Sequence, residues 1–210
     1  MAAVNSALLA HLKAGDRVVA SRALFGSCHW IVSTLLPKFG IESVFVDGGD
    51  LNQWREALSK PTNLVLLETP SNPMLEIVDL PAVADMAHKA GAVVVVDNVF
   101  ATPLLQQPLK MGADIVVYSC TKHIDGQGRV LGGAVLSNRK WVNDVACGFA
   151  QFLAVLLPPT VDEEGLGEWR AERVEHDRPV DGMELQDVLA NEVDVGRPGR
   201  QLRGLGWLGA

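Results

Sequence analysis

Basic residues are in short supply in this 210-residue chain: 18 Lys and Arg stand against 25 Asp and Glu, a formal net charge of -7. With no basic surplus to neutralise phosphates, nucleic acid is not an expected partner. No apolar run approaches the roughly 18 residues needed to span a bilayer, so no membrane partner is expected either. Cysteine is scarce as well. Cys28, Cys120 and Cys147 form no CxxC pair and leave an odd one out, which points to a reduced, cytoplasmic protein and away from a disulfide-stapled secreted one. The opening stretch, MAAVNSALLAHLKAGD, lacks the basic flank and cleavage site of a signal peptide and reads as an amphipathic helix. Internal repeats and low-complexity runs are also missing, which excludes solenoids and propellers. What is present is a chain 48% apolar and 20% charged, able to bury a substantial core.

Up to about residue 137 the sequence alternates between short apolar runs and helix-like segments. The expected strands are Arg17–Ser21, Ile41–Val46, Leu64–Glu68, Val93–Asp97, Ile115–Ser119 and Gly133–Leu136. Runs such as VVVVD and IVVYS are continuous and β-branched, which suits strands covered on both faces. Amphipathic stretches such as LNQWREAL and LPAVADMAHKAG lie between them. The second puts Leu80, Val83, Ala84 and Ala87 on one face and stops at Gly91. This alternation predicts an α/β fold with a mostly parallel sheet and right-handed crossovers.

The last third has a different composition. From Cys147 onward there is no Lys, Ser, Ile or Tyr, while Arg, Gly, Val, Asp and Glu crowd in. The segment EEGLGEWRAERVEHDRPVDGMELQD has neither a sustained period of two nor an apolar helical face. The expected division is therefore a domain over 1–146 and a tail over 147–210. A shifted reading frame in a GC-rich gene would give the tail this composition; an acidic-then-basic disordered tail is the plainer alternative.

Ligand sites in open α/β sheets lie beyond the carboxyl ends of the strands. Three polar groups of residues fall there: Glu68-Thr69-Pro70-Ser71-Asn72-Pro73 after LVLL, Asp97-Asn98 after VVVV, and Ser119-Cys120-Thr121-Lys122-His123 after IVVY. A lysine at a strand end can form an imine with an aldehyde cofactor. A pyridine cofactor then needs a carboxylate at its ring nitrogen, and Asp97, one crossover before Lys122, could supply it. Ser119 and Thr121 could offer hydroxyls to a phosphate, and Asn72 could bond a phenolic oxygen. Each residue also has a plainer reading. A lysine after a strand is usually solvated, an Asp at a strand end is commonly a turn or cap residue, and Ser-Asn-Pro is a turn sequence. Phe25 and Phe100 would by default be core. His29, His88 and His123 lack metal-ligand spacing, and Cys120 is explained by strand packing as well as by reactivity. Gly126-Gln127-Gly128 has the spacing of no phosphate loop.

Three blocks of sequence carry a resemblance. Tyr118-Ser-Cys-Thr-Lys122-His-Ile-Asp-Gly-Gln-Gly-Arg129 resembles the cofactor-lysine signature of the Cys/Met-metabolism (transsulfuration) family of pyridoxal-phosphate enzymes, and Val96-Asp97-Asn98-Val99-Phe100-Ala101-Thr102-Pro103 and Glu68-Thr-Pro-Ser-Asn-Pro73 match two more of its blocks in the same order. Leu24-Phe25-Gly26-Ser27 and His123–Arg129 are most similar to the O-succinylhomoserine sulfhydrylase branch. The likeness covers roughly residues 1–145. It implies the large domain of a fold type I transferase, incomplete, with a seven-stranded type of sheet flanked by helices, and pyridoxal 5'-phosphate as cofactor. It further implies that Lys122 holds the cofactor and moves protons between Cα, C4′ and Cβ of the reacting system. Asp97 would pair with the ring nitrogen, and Ser119 and Thr121 would hold the phosphate. Phe25, where many relatives have Tyr, would stack on the ring without exchanging a proton. Asn72 would contact the phenolic oxygen, and Glu68 would support the pocket. The implied reaction is γ-replacement on O-succinylhomoserine by sulfide, giving homocysteine in methionine biosynthesis; cystathionine γ-synthase or methionine γ-lyase activity is the alternative, as is an inactive fragment. Intact relatives are expected to be homotetramers acting on small amino-acid substrates. They also carry a Ser-Gly before the position of Met1, an N-terminal arm that gives a neighbouring subunit a Tyr and an Arg for the phosphate, and a small C-terminal domain. The expectation is that this chain is a fragment or a frameshifted product.

Overall fold

The computed structural model describes residues 1–129 and 131–142. Helix α1 (Ala2–His11) leads into strand β1 (Arg17–Ser21). Helix α2 (Gly26–Trp30) runs through a π-helical turn (Ile31–Leu35) into α3 (Leu36–Lys38), followed by β2 (Glu42–Val46), α4 (Leu51–Ala57) and β3 (Leu64–Glu68). Helix α5 (Leu80–Lys89) precedes β4 (Val93–Asp97), and a short α6 (Thr102–Leu105) and a 3-10 turn (Pro108–Met111) precede β5 (Ile115–Ser119). A π-type turn (Cys120–Ile124), β6 (Gly133–Ser137) and α7 (Arg139–Trp141) complete the described chain.

The strands form one sheet in the order β2-β1-β3-β4-β5-β6, parallel throughout except for β6, which pairs antiparallel with β5. The α/β, mostly parallel expectation therefore holds, with six strands among the described residues where a seven-stranded type was expected. The order is that of a doubly wound sheet whose direction of winding switches between β1 and β3. Alternate strand residues feed two cores, as a side-chain period of two requires. Val18, Ala20, Leu64, Leu66, Val95, Ile115 and Val117 pack with α1, α2 and α3. Val19, Val65, Leu67, Val94, Val96 and Val116 pack on the other face with Trp54 of α4 and Leu80, Val83, Ala84 and Ala87 of α5. Burying each such Val or Leu is worth about 1.5–3 kcal/mol, so continuous β-branched runs are stable only in covered strands like these.

Caps set the helix boundaries. Asp50 accepts the amide of Asn52 at 2.8 Å to begin α4, and Asp79 accepts that of Ala82 at 3.2 Å to begin α5. Helix α5 stops where Gly91 takes φ +81°, the left-handed conformation that favours glycine. Two expectations are corrected. Phe25 and Phe100 are not core: they are 44% and 40% exposed, because both follow strand ends rather than lying within strands. The tail assigned to 147–210 lies outside the described residues, and so does Cys147.

Candidate active site

Four parallel strands deliver polar residues to one edge of the sheet: Ser21 ends β1, Glu68 ends β3, Asp97 ends β4 and Ser119 ends β5. Register brings two of them side by side. Glu68 pairs with Asp97 in the β3–β4 ladder, one step beyond Leu67 and Val96. In-register residues of parallel strands project to the same face, and here that is the face of Leu66 and Val95, covered by α1 and α2. Two carboxyl groups thus meet in a nearly closed environment, 4% and 9% exposed.

Their hydrogen bonds are few and come from backbone amides. The amide of Phe25, in the loop after β1, donates to Glu68 Oε2 at 2.6 Å, and the amide of Asn72, in the loop after β3, donates to the same carboxylate. Asp97 accepts the amide of Val99 at 3.1 Å, so the turn role first assigned to an Asp at a strand end is real. Burial, and next the charge of Asp97, push Glu68 up to about 7. Burial also raises Asp97, against the pull of the Val99 amide and of the Met1 ammonium. Among the described residues no Lys, Arg or His forms an ion pair with either carboxylate. Cys28 of α2 lies under the pair, and its thiol is pushed up to about 12 by burial and by the two acids. It is neutral and inert at physiological pH.

After β5 the chain makes the π-type turn containing Thr121 and Lys122. Lys122 is exposed, and its backbone (φ -93°, ψ -115°) departs from helical values. The turn is anchored on both sides. Cys120 N–H donates to Gly132 O at 3.0 Å, and Gly132 N–H donates to Thr121 Oγ1 at 3.2 Å. Beyond Lys122, Asp125 accepts the amides of Gln127 and Arg129 at 3.2 and 2.7 Å, while Gly126 and Gly128 both take φ +68°. The Gly-Gln-Gly stretch is thus a turn built on Asp125.

Helix α1 closes the edge beside β5. A Cβ on Gly133 would stand 2.7 Å from Ala3 Cβ and 3.4 Å from Ala3 N, so only glycine lets the first turn of α1 approach so closely. The opening amides of a helix have no partner within it, and they carry the positive end of its dipole.

Some expected residues have other duties. Asn98 does not present its amide to the site: it is fully buried and donates to Thr102 O, Gln106 O and Tyr118 Oη, while its Oδ1 accepts from Gln106 Nε2 at 2.9 Å. Gln106 Nε2 also donates to Thr69 O at 2.9 Å, tying the loop after β3 to the loop after β4. Sequence reasoning missed Gln106 and Tyr118 altogether. Only the long-range pairing reveals their role, because no local motif marks it. Ser71 is the turn residue its type suggested, accepting the amide of Glu76 at 3.0 Å. Asn72 and Ser119 are half-buried at the edge, and Phe25 lies beside Glu68 through its own amide.

Acids, hydroxyls and a lysine-bearing turn thus gather at the carboxyl edge of a doubly wound α/β sheet, where ligand sites of such folds lie. The family model for the Cys/Met metabolism PLP-dependent enzymes matches residues 1–159. The chain belongs to that family, whose cofactor is pyridoxal phosphate. It is 62% identical over 143 residues to O-succinylhomoserine sulfhydrylase of Mycobacterium tuberculosis, covering 68% of this chain and 35% of that protein. It is 47% identical over 161 residues to L-methionine gamma-lyase of Fusobacterium nucleatum, covering 76% and 41%. The crystal structure of cystathionine gamma synthase from Xanthomonas oryzae superposes with a TM-score of 0.69 at 38% identity, over 72% of this chain and 39% of that one. The chain therefore spans between a third and just over two-fifths of the length of these relatives.

Proposed function

We propose that these residues form the cofactor-binding part of an enzyme that replaces the γ-substituent of O-succinylhomoserine with sulfide, giving homocysteine and succinate. The observation that carries this reading is the meeting of Glu68, Asp97 and the 119–122 turn at one sheet edge. The sulfhydrylase assignment within the family leans on the 62% identity to such an enzyme.

Bound pyridoxal phosphate supplies an electron sink that makes the Cα and Cβ protons of an amino-acid substrate removable. The residues present fit it. Asp97 is a buried carboxylate with one amide donor and, among the described residues, no side-chain cation paired to it, an environment that a protonated ring nitrogen would complete. Lys122, on its exposed turn, would be the amine that holds the cofactor's aldehyde carbon, and its amino group would carry protons to and from the substrate carbons. The unpaired amides of α1, with the Ser119 and Thr121 hydroxyls, serve the phosphate. Asn72 would contact the phenolic oxygen. Phe25 would stack on the ring and, lacking a hydroxyl, would take no proton. Glu68 holds the loops that carry Phe25 and Asn72. A cytoplasmic location belongs to the same proposal.

The test is direct. Adding pyridoxal phosphate should produce the long-wavelength absorbance of a lysine-bound cofactor, and borohydride reduction should leave a stable adduct at Lys122 by peptide mass spectrometry. Lys122→Ala should lose both; absence of the band and adduct in the wild type would sink the reading. Similarity to a lyase and a synthase makes product analysis the deciding second step. Homocysteine from sulfide supports the sulfhydrylase, cystathionine from cysteine supports a synthase, and breakdown of methionine supports a lyase.

A further inference from the structure

Glu68 and Asp97 are held side by side by strand register, on the same face, both buried, with no cation bonded to either among the described residues. Like charges so placed resist ionising together. Glu68 also reaches the loops after both β1 and β3, through the amides of Phe25 and Asn72. A carboxylate accepts an amide hydrogen more strongly than a neutral carboxyl does. We infer that Glu68 is a proton-linked positioning residue: a cation seated on Asp97 drives the proton off Glu68, and the freed carboxylate tightens on the Phe25 and Asn72 amides.

The inference rests on the reading of Asp97 as the partner of the cofactor's ring nitrogen. It adds a closing step in which cofactor binding draws in the two loops that flank the ring. The step balances: Glu68 loses one proton to solvent, and no covalent bond to the cofactor forms or breaks. The groups facing Glu68 are few. Asp97 reaches it from β4 and the neutral Cys28 thiol from α2, while the Met1 ammonium at the head of α1 acts on Asp97 and Cys28. The raised proton affinity of Glu68, with Asp97 second among its causes, agrees with the geometry.

The first experiment needs no cofactor. The carboxyl carbon of Glu68 is followed by NMR through a pH titration of the wild type and of D97N. The wild-type midpoint should lie near 7 and fall by about one pH unit or more in D97N; an unchanged midpoint overturns the coupling. Hydrogen exchange in the same chain, corrected for its intrinsic pH dependence, should slow several-fold at the Phe25 and Asn72 amides as Glu68 ionises. E68Q should remove that dependence, and a wild type already flat across this range counts against the clasp. Calorimetric titration with pyridoxal phosphate at pH 6.5, in two buffers of different ionisation enthalpy, should show proton release in the wild type that E68Q lacks. Equal release in both overturns the inference. Failure of the wild type to bind pyridoxal phosphate overturns the functional reading instead, and the two cofactor-free measurements still decide the coupling.

Discussion

The two ends of the sheet treat buried polar groups in opposite ways. At the amino end most are satisfied, the buried Ser43 Oγ of β2 being an exception. The Arg17 guanidinium bonds Thr62 Oγ1 at 2.7 Å, Ala57 O at 2.9 Å and Glu42 Oε1 at 3.3 Å, while the Arg17 amide donates to Asn63 Oδ1 at 2.9 Å. Asp114 takes the amide of Val94 at 2.8 Å and stands 2.9 Å from His88 Nε2, and Ser137 Oγ donates to Asp114 O at 2.7 Å. At the carboxyl end, among the described residues, Glu68 and Asp97 face each other with no side-chain cation paired to either, and the buried Ser21 Oγ has no hydrogen-bond partner. Unpaired buried charge is costly and persists where it serves a ligand. The lesson is that one end of this sheet ties most of its polar groups into the fold, while the other leaves two acids without a paired cation, as the proposed cofactor site requires.

Substitutions should separate the two ends. The largest loss of stability is expected from Arg17→Ala, which strands Thr62 and the Ala57 carbonyl in a closed setting: about 2–4 kcal/mol by urea denaturation. Asp97→Asn should do the reverse. It should leave the cofactor-free chain as stable as the wild type or more so at pH 8, because it removes a buried charge. It should also weaken pyridoxal phosphate binding at least tenfold, or ~1.4 kcal/mol, by absorbance titration. A large loss of stability in this variant would erase the contrast between the ends.

The pH dependence has a definite sign. Glu68 binds its proton more tightly when folded, at about 7 against an ordinary 4.5. The folded chain therefore holds a proton that the unfolded chain has already released. Its contribution to stability is full below the ordinary value and is lost as pH rises through about 7. Thermal unfolding of the cofactor-free chain should lose about 2 kcal/mol from this group between pH 5 and 8, and Glu68→Gln should flatten the profile. The smallest effect is expected for His88→Ala. Its side-chain contact with Asp114 is partly exposed at both partners, so the cost should stay below about 1 kcal/mol. A larger cost would mean that the amino end depends on that surface pair.

Much of the fold was legible because the signals were local. The runs at Arg17–Ser21, Leu64–Glu68, Val93–Asp97 and Ile115–Ser119 became strands with those bounds, since continuous β-branched sequence suits strands covered on both faces. The four apolar positions expected on one face of α5 are its four buried residues. Misreadings clustered where the chain leaves a strand. Core was the default reading of Phe25 and Phe100 from residue type alone, and their positions after strand ends leave them partly open instead. Asn98 was grouped with the site because it follows Asp97, yet its amide is committed to Thr102, Gln106 and Tyr118. These outcomes depend on partners up to 20 residues away along the chain, which no local pattern encodes.

By itself, the sequence determined the strand and helix segments, the two-sided core and the set of residues delivered to the carboxyl edge. Side-chain period and backbone preference act over a few residues, so these can be read along the chain. Only the tertiary structure decided that Glu68 and Asp97 are register neighbours on one face, that Phe25 and Asn72 hang from the same carboxylate, and that Gly133 admits the head of α1. Register between strands is fixed by packing across the whole sheet. A shift of one residue would turn each acid toward the opposite core, so their juxtaposition belongs to the assembled fold rather than to either segment.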